Sequence, residues 1–193
     1  MHYSVMVIGE NVEDQMEAFA QDLEVEEYLV DIVTERDKDD MLRYYTTDKK
    51  SWKDFDECYK ANGRDWNGNS WRKDDDGVWR EYSTSNPDAH WDWYEVGGRW
   101  AGKIVVKEGV EYRKPNFSWG WPQEAKDEVL SQRRTDTALL KDIENVDKLS
   151  AYAVVRYGEW IDNGYEDLPN ERVQEILSEL DPDTRITFID CHY

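Results

Sequence analysis

The sequence predicts an α+β protein, and three observations carry that reading. Short β-rich runs stand at both ends, Tyr3–Ile8 near the start and Arg185–Asp190 at the finish. Helical stretches lie between them, the clearest being Pro169–Leu180, with Val173, Ile176, Leu177 and Leu180 on one face. A third region, Ser51–Asn86, is rich in Gly, Asn, Asp and Trp and poor in aliphatic residues. The expectation is a single α+β domain over residues 1–193. Its predicted form is a ferredoxin-like antiparallel sheet with helices on one face and a long, irregular Trp- and Gly-rich insertion at about 46–90.

The elements follow in chain order. Tyr3–Ile8 alternates and is a first strand. Asn11 is placed to cap a helix whose first turn holds Glu13 and Asp14, with Met16, Phe19, Ala20 and Leu23 at helical spacing. An apolar run covers Tyr28–Val33, and a polar helix is expected over Glu35–Tyr45. Asn62-Gly63, Asn67-Gly68 and Asp76-Gly77 mark turns. Nine of the ten tryptophans lie between Trp52 and Trp121, which argues against disorder there. Trp100–Lys107 reads as a strand, Pro122–Leu130 as a helix and Ala138–Ile143 as a further helical piece. Ala151–Tyr157 is a strand leading to a tight turn at Gly158-Glu159 before Trp160, and Asp181-Pro182 ends the last helix. With aromatics at 13% and hydrophobic residues at only 39%, the core is expected to rely on large rings.

Composition narrows the function. No apolar run reaches the roughly 18 residues of a membrane helix, and the N-terminus lacks the basic start and cleavage site of a signal peptide. Cys58 and Cys191 are then expected to be free thiols. The net charge of −20 disfavours direct nucleic-acid binding and anionic membranes; it suits solubility or a basic partner. The stretch Asn86–Gly120 departs from this balance. Its five acids (Asp88, Asp92, Glu95, Glu108, Glu111) are matched by five bases (Arg99, Lys103, Lys107, Arg113, Lys114).

Within that neutral stretch, His90–Trp100 is the most unusual segment. Trp91, Trp93, Tyr94 and Trp100 are candidates for stacking on a base. Arg99 is a candidate for holding phosphate, with Gly97 and Gly98 supplying backbone donors. On a regular strand Trp91, Trp93 and Glu95 would face one side, and His90, Asp92 and Tyr94 the other. The same rings can equally be core, with Arg99 paired to Asp92 or Glu95. No phosphate-loop or dinucleotide fingerprint is present. His90 and Asp92, two apart, form a possible acid–base pair. Asp190, Cys191 and His192, with His2 or His90, include metal-binding types, but their spacing fits no standard zinc site. Cys191 and His192, as strand neighbours, would point apart. No catalytic set, metal or cofactor is assigned.

These residues resemble a family of small proteins encoded mainly by bacteriophages and prophages. The resemblance rests on Val7-Ile8-Gly9 with Glu13-Asp14-Gln15, and on Asn86-Pro87, Trp91-Asp92-Trp93-Tyr94 and Gly97-Gly98-Arg99-Trp100. It extends to Ala153-Val154-Val155 with Gly158-Glu159-Trp160, and to the ending Asp190-Cys191-His192. It does not cover Thr46–Tyr82. It implies a phage-encoded protein acting in the cytoplasm of a bacterial host, and it implies no mechanism. The leading expectation is an accessory protein that counters host defence by sequestering a small nucleotide-type signal. Two alternatives stand beside it. One is an acidic inhibitor, DNA-mimicking or not, of a basic host protein; the other is a nucleotide-modifying enzyme using His90 and Asp92. A homo-oligomer is compatible with each.

Overall fold

The computed structural model describes residues 1–47 and 50–193. In its first half the chain forms β1 (His2–Ile8), α1 (Val12–Glu17), β2 (Glu24–Ile32), α2 (Glu35–Tyr45), α3 (Phe55–Asn62), β3 (Ser70–Lys73), β4 (Trp79–Ser85) and β5 (Trp93–Val96). It continues through β6 (Ile104–Val105), α4 (Gln123–Ser131), β7 (Arg134–Thr135), β8 (Thr137–Leu139), β9 (Ala153–Arg156), β10 (Glu159–Ile161), α5 (Asn170–Ser178) and β11 (Arg185–His192). The α+β class is thus observed. Two compact units divide the chain: Met1–Leu23 together with Asp88–Tyr193, and the continuous stretch Glu24–Pro87.

The larger unit is built on a sheet of order β10-β9-β1-β11-β5, with β8 also pairing with β11. The sheet is mixed. β1 runs antiparallel to β11 but parallel to β9, so it departs from the wholly antiparallel, ferredoxin-like arrangement. The helices also cover both faces rather than one. Met6, Ile8, Val154, Ile186 and Phe188 pack with Val173, Ile176 and Leu177 of α5. Val5, Val7, Ala153, Val155, Ile189 and Cys191 pack with Met16 of α1. A strand buried on both faces reads as a continuous apolar run rather than an alternation, and Val5-Met6-Val7-Ile8 and Ala153-Val154-Val155 are such runs. β9 and β10 join through Tyr157 (φ 54°) and Gly158 (φ 77°). Two positive φ values in a two-residue loop match the twist of a hairpin.

Several sequence expectations shift in this unit. Asn11 precedes α1 but adopts a left-handed conformation and makes no capping bond with its side chain. In Trp100–Lys107 the first three residues turn and the strand is confined to Ile104–Val105 with a single bridge at Val106, and Ala138–Ile143 splits into the end of β8 and a short 3-10 turn at Leu140–Asp142. The core clusters of this unit are chiefly aliphatic, against the expected ring-rich core.

The smaller unit carries the aromatic core. Val33, Met41, Phe55 and Trp71 are buried, with Tyr45, Tyr59 and Trp79 packed on them. Its three strands run β2-β4-β3, all antiparallel. α2 starts at the capping box of Thr34 and Asp37. The stretch read as irregular, Ser51–Asn86, contributes α3, β3 and β4, and its three turn signals each act. Gly63 (φ 74°) ends α3, Gly68 N–H closes on Asp65 O at 3.2 Å, and Gly77 N–H closes the β3–β4 hairpin on Asp74 O at 2.8 Å. Among the described residues no helix is long and apolar enough to cross a membrane.

Phe188 is fully buried at the centre of the larger core, whereas Tyr165 is fully exposed. Phe188→Ala should cost about 3–5 kcal/mol in urea unfolding. Tyr165→Ala should stay within about 0.5 kcal/mol of the parent chain.

Candidate functional site

Along three adjacent strands of the larger unit, one sheet face changes character at the same level. On β1 it passes from Ile8 and Met6 to Ser4 and His2, and on β11 from Ile186 and Phe188 to Asp190 and His192. β5 adds Glu95 opposite Asp190 and Trp93 opposite His192. Pairing His2 with His192 in the β1–β11 register therefore gathers the chemistry at one end of the sheet.

Asp190 is fully buried there. Its Oδ1 lies 2.9 Å from His2 Nδ1, and its Oδ2 accepts the Arg99 backbone N–H at 2.9 Å. A second pair sits beside it: His192 Nδ1 lies 2.8 Å from Asp92 Oδ1. This bond holds the Asp92 carboxyl below the usual carboxylate range. An imidazole that faces an ionised carboxylate through Nδ1 donates its proton there, and among the described residues neither Nε2 has a hydrogen-bond partner. The His2 and His192 rings meet edge to face with centroids 4.9 Å apart. Trp93 lies nearly parallel to His192, with centroids 5.9 Å apart, and edge-on to His2 at 5.6 Å.

A cleft of about 940 Å³ opens against this group, bounded by His2, Trp93, Glu95, Arg99, Asp190 and the segment Ser118–Pro122. The second wall is held by the double-glycine turn. Gly98 O accepts the Trp121 indole N–H at 2.9 Å and Ser118 N–H at 3.2 Å. Trp119 stands fully exposed at the rim. Arg99 is exposed, and its guanidinium has no ion-pair partner among the described residues.

The sequence-selected residues divide between this cleft and the interior. Trp93 and Arg99 line the cleft. Trp91 donates its indole N–H to Met16 O at 2.9 Å and packs edge-on against Tyr94, with both rings half-buried in the α1-side core. The chain bends at Asp92, so Trp91 and Trp93 do not share the face that a regular strand would give them. Trp100 is half-buried, with the Lys103 ammonium 5.1 Å from its ring. The backbone N–H groups of Gly97 and Gly98 are used internally, on Phe188 O at 2.9 Å and Asn116 O at 2.8 Å. The two glycines serve packing instead. A Cβ on Gly98 would lie 2.6 Å from Asp190 Cβ, and one on Gly97 would lie 2.3 Å from Asp136 Oδ2. His90 does not meet Asp92. It stacks on Trp160 at 4.2 Å, and burial pushes its pKa down. Cys191 is buried in the α1-side core, which pushes its thiol pKa up, and its side chain faces away from His192.

Residues outside the original selection matter as much. His2 and Asp190 form the imidazole–carboxylate pair at the cleft wall, His192 adjoins it, and Trp119 and Trp121 edge the opening. Among the described residues no group of three or more His, Cys, Asp or Glu side chains is arranged to hold a metal ion. A scan against protein-family models finds no match to this chain, and searches of curated proteins and of solved structures find none either.

A second cleft of similar size, about 960 Å³, lies between Val110–Asn116 and Thr135–Leu139. Its buried carboxylate, Asp136, is occupied by the N–H groups of Gly102 at 2.7 Å and Asn116 at 2.6 Å. Arg185 on its wall is paired with Glu10. It brings together neither paired imidazoles nor tryptophans, so the first cleft is the better candidate.

Gly98 and Gly109 both adopt positive φ, 58° and 81°, but only Gly98 is crowded. Alanine at either position carries backbone strain. Gly98→Ala should cost about 1–3 kcal/mol more than Gly109→Ala, the overpacking component, read from urea midpoints of the two variants.

Proposed function

We propose that the chain binds a small nucleotide-type anion in the cleft between Trp93 and Ser118–Pro122. The observation that supports this most directly is the exposed Arg99 guanidinium, without an ion pair among the described residues, in a cleft lined by the His2 imidazole and edged by Trp93, Trp119 and Trp121. Indoles stack on a base whatever its identity, and a guanidinium forks onto phosphate oxygens. The roles differ from those first expected of this segment. Trp119 and Trp121 take the stacking assigned to Trp91, Tyr94 and Trp100, and the side chain of Arg99 holds the phosphate without the amides of Gly97 and Gly98, which are used internally. The resemblance to phage and prophage proteins supplies the setting, a bacterial host cytoplasm in which capture of a nucleotide signal would blunt a defence response.

Calorimetry against cyclic dinucleotides and ADP-ribose derivatives tests this reading. Arg99→Ala should weaken binding by about 1.5–3 kcal/mol. Trp119→Ala should weaken it by about 1–3 kcal/mol without changing stability, because the ring is fully exposed. No heat with any of these compounds from folded protein would sink it.

A second reading, an acidic inhibitor of a basic host protein, is favoured by β2. This edge strand of the smaller unit exposes Leu29, Val30 and Ile32 among Glu24, Glu26, Glu27 and Asp31. An unpaired edge with apolar and acidic side chains is a template for another chain. Retention of a host protein that falls steeply with added salt, and is lost on replacing Glu26 and Glu27 by lysine but not on Arg99→Ala, would support it. Retention independent of both salt and these substitutions would count against it.

A further inference from the structure

We propose that the same cleft hydrolyses phosphodiester bonds, with His2 and His192 as its proton-transferring pair. This rests on the nucleotide-binding reading and goes beyond it, from capture to turnover.

Four observations carry the proposal. First, each imidazole has a carboxylate on Nδ1, Asp190 for His2 at 2.9 Å and Asp92 for His192 at 2.8 Å. Such a pairing fixes the tautomer and aims Nε2 outward, which is the arrangement a general acid or base requires. Second, the two rings adjoin edge to face with centroids 4.9 Å apart, and His2 itself lines the cleft, which sets the two proton-transfer groups side by side at its wall. Third, Asp190 is fully buried, and its other oxygen holds the backbone of Arg99. One carboxylate thus positions a proton-transfer group and the phosphate-binding residue together. Fourth, burying a carboxylate is costly unless it is paired. The core face of β11 would be satisfied by an apolar residue after Phe188, so packing alone does not call for Asp190.

The step balances with water as the nucleophile. Water attacks phosphorus, and the new P–O bond forms as the P–O bond to the leaving alcohol breaks. The neutral imidazole takes the proton from water on its Nε2. The protonated imidazole gives its Nε2 proton to the departing oxygen. One phosphodiester and one water become a phosphomonoester and an alcohol, and exchange with solvent restores the starting protonation of the pair. Arg99 meets the charge on the non-bridging oxygens. Asp190 and Asp92 are positioning residues.

The test incubates the full chain with a cyclic diadenylate, a linear diadenylate and bis(nitrophenyl) phosphate. Products are followed by chromatography, and binding to the same preparations is measured by calorimetry. The expected result is accumulation of phosphomonoester. His2→Gln and His192→Gln should each lower kcat by roughly a hundredfold or more, with the dissociation constant changed less than about threefold. The double variant should be little worse than either single one. His90→Gln, whose ring stacks on Trp160 away from the pair, should turn over at the parent rate. Asp92→Asn, at an exposed carboxylate, should lower kcat with little change in KM and provides the same readout if a histidine variant fails to fold. A dinucleotide that binds and is recovered intact overturns the hydrolysis and leaves the binding reading standing. No binding and no turnover with any probe overturns both. Turnover that survives in the double histidine variant overturns the assignment of the pair.

Discussion

The polar end of the larger sheet depends on one buried carboxylate. Asp190 sits on β11 between Ser4 of β1 and Glu95 of β5, and its two oxygens reach in different directions. One meets the imidazole of His2 at the start of β1, and the other meets the Arg99 N–H just beyond β5. A single side chain therefore ties three strands where the apolar packing of Phe188 and Met6 has ended. The desolvation of that carboxylate is offset only while both contacts hold, and charge-assisted hydrogen bonds of this length are strong enough to hold them. Asp136 acts in parallel on the other side of the same turn, accepting from Gly102 and Asn116. Burial pushes its pKa up, and those two donors pull it down.

The double glycine follows from these two acids. Asp190 occupies the space a Gly98 side chain would need, and Asp136 the space of one on Gly97. With both carboxylates packed against it, the turn exposes the carbonyl of Gly98, which holds Ser118 and the Trp121 indole. The second wall of the cleft is thereby set by the same constraint that sets the first. Arg99 follows the turn directly. Its backbone is fixed by Asp190 while its side chain is left to solvent, an economical way to present a cation from a rigid base.

Much of the fold was legible because local rules and tertiary packing agreed. Glu35–Tyr45 carried its capping residue, and Val173, Ile176 and Leu177 kept helical spacing and are all buried. Asn62-Gly63, Asn67-Gly68 and Asp76-Gly77 all turned, because positive φ is a local demand. The parallel β1–β9 pairing was not legible, since it joins segments whose hydrophobic runs fit either direction. The site was half legible. Trp93 and Arg99 stood out by composition, but Trp91 looked equivalent to Trp93 until the bend at Asp92 sent it to the core. Asp92 looked like the partner of His90 because they are close in sequence, whereas its partner His192 lies a hundred residues on. A Gly-Gly pair signals only that something approaches the backbone closely. Whether that is a ligand or a carboxylate is decided by Asp136 and Asp190, which no local pattern connects to it.

Charge gives the last link. A chain of net −20 repels an anion at a distance, but that field is screened over about 8–10 Å at ordinary ionic strength. On the proposed reading, what governs binding of an anion is therefore the balance within the cleft. There the buried acid Asp190 is already committed to an imidazole, Glu95 is half-buried on the same wall, and the cation of Arg99 has no ion pair among the described residues. The neutrality of Asn86–Gly120 and these local pairings have the same consequence. Most of the chain's acidity is carried elsewhere, and at this cleft aromatic rings, an imidazole and the Arg99 guanidinium meet only two acids, the paired Asp190 and the half-buried Glu95. An acidic surface with such an exception slows the approach of anions in general without weakening the contact made by one that fits, so selectivity rests on the shape and donors of the cleft rather than on attraction from afar.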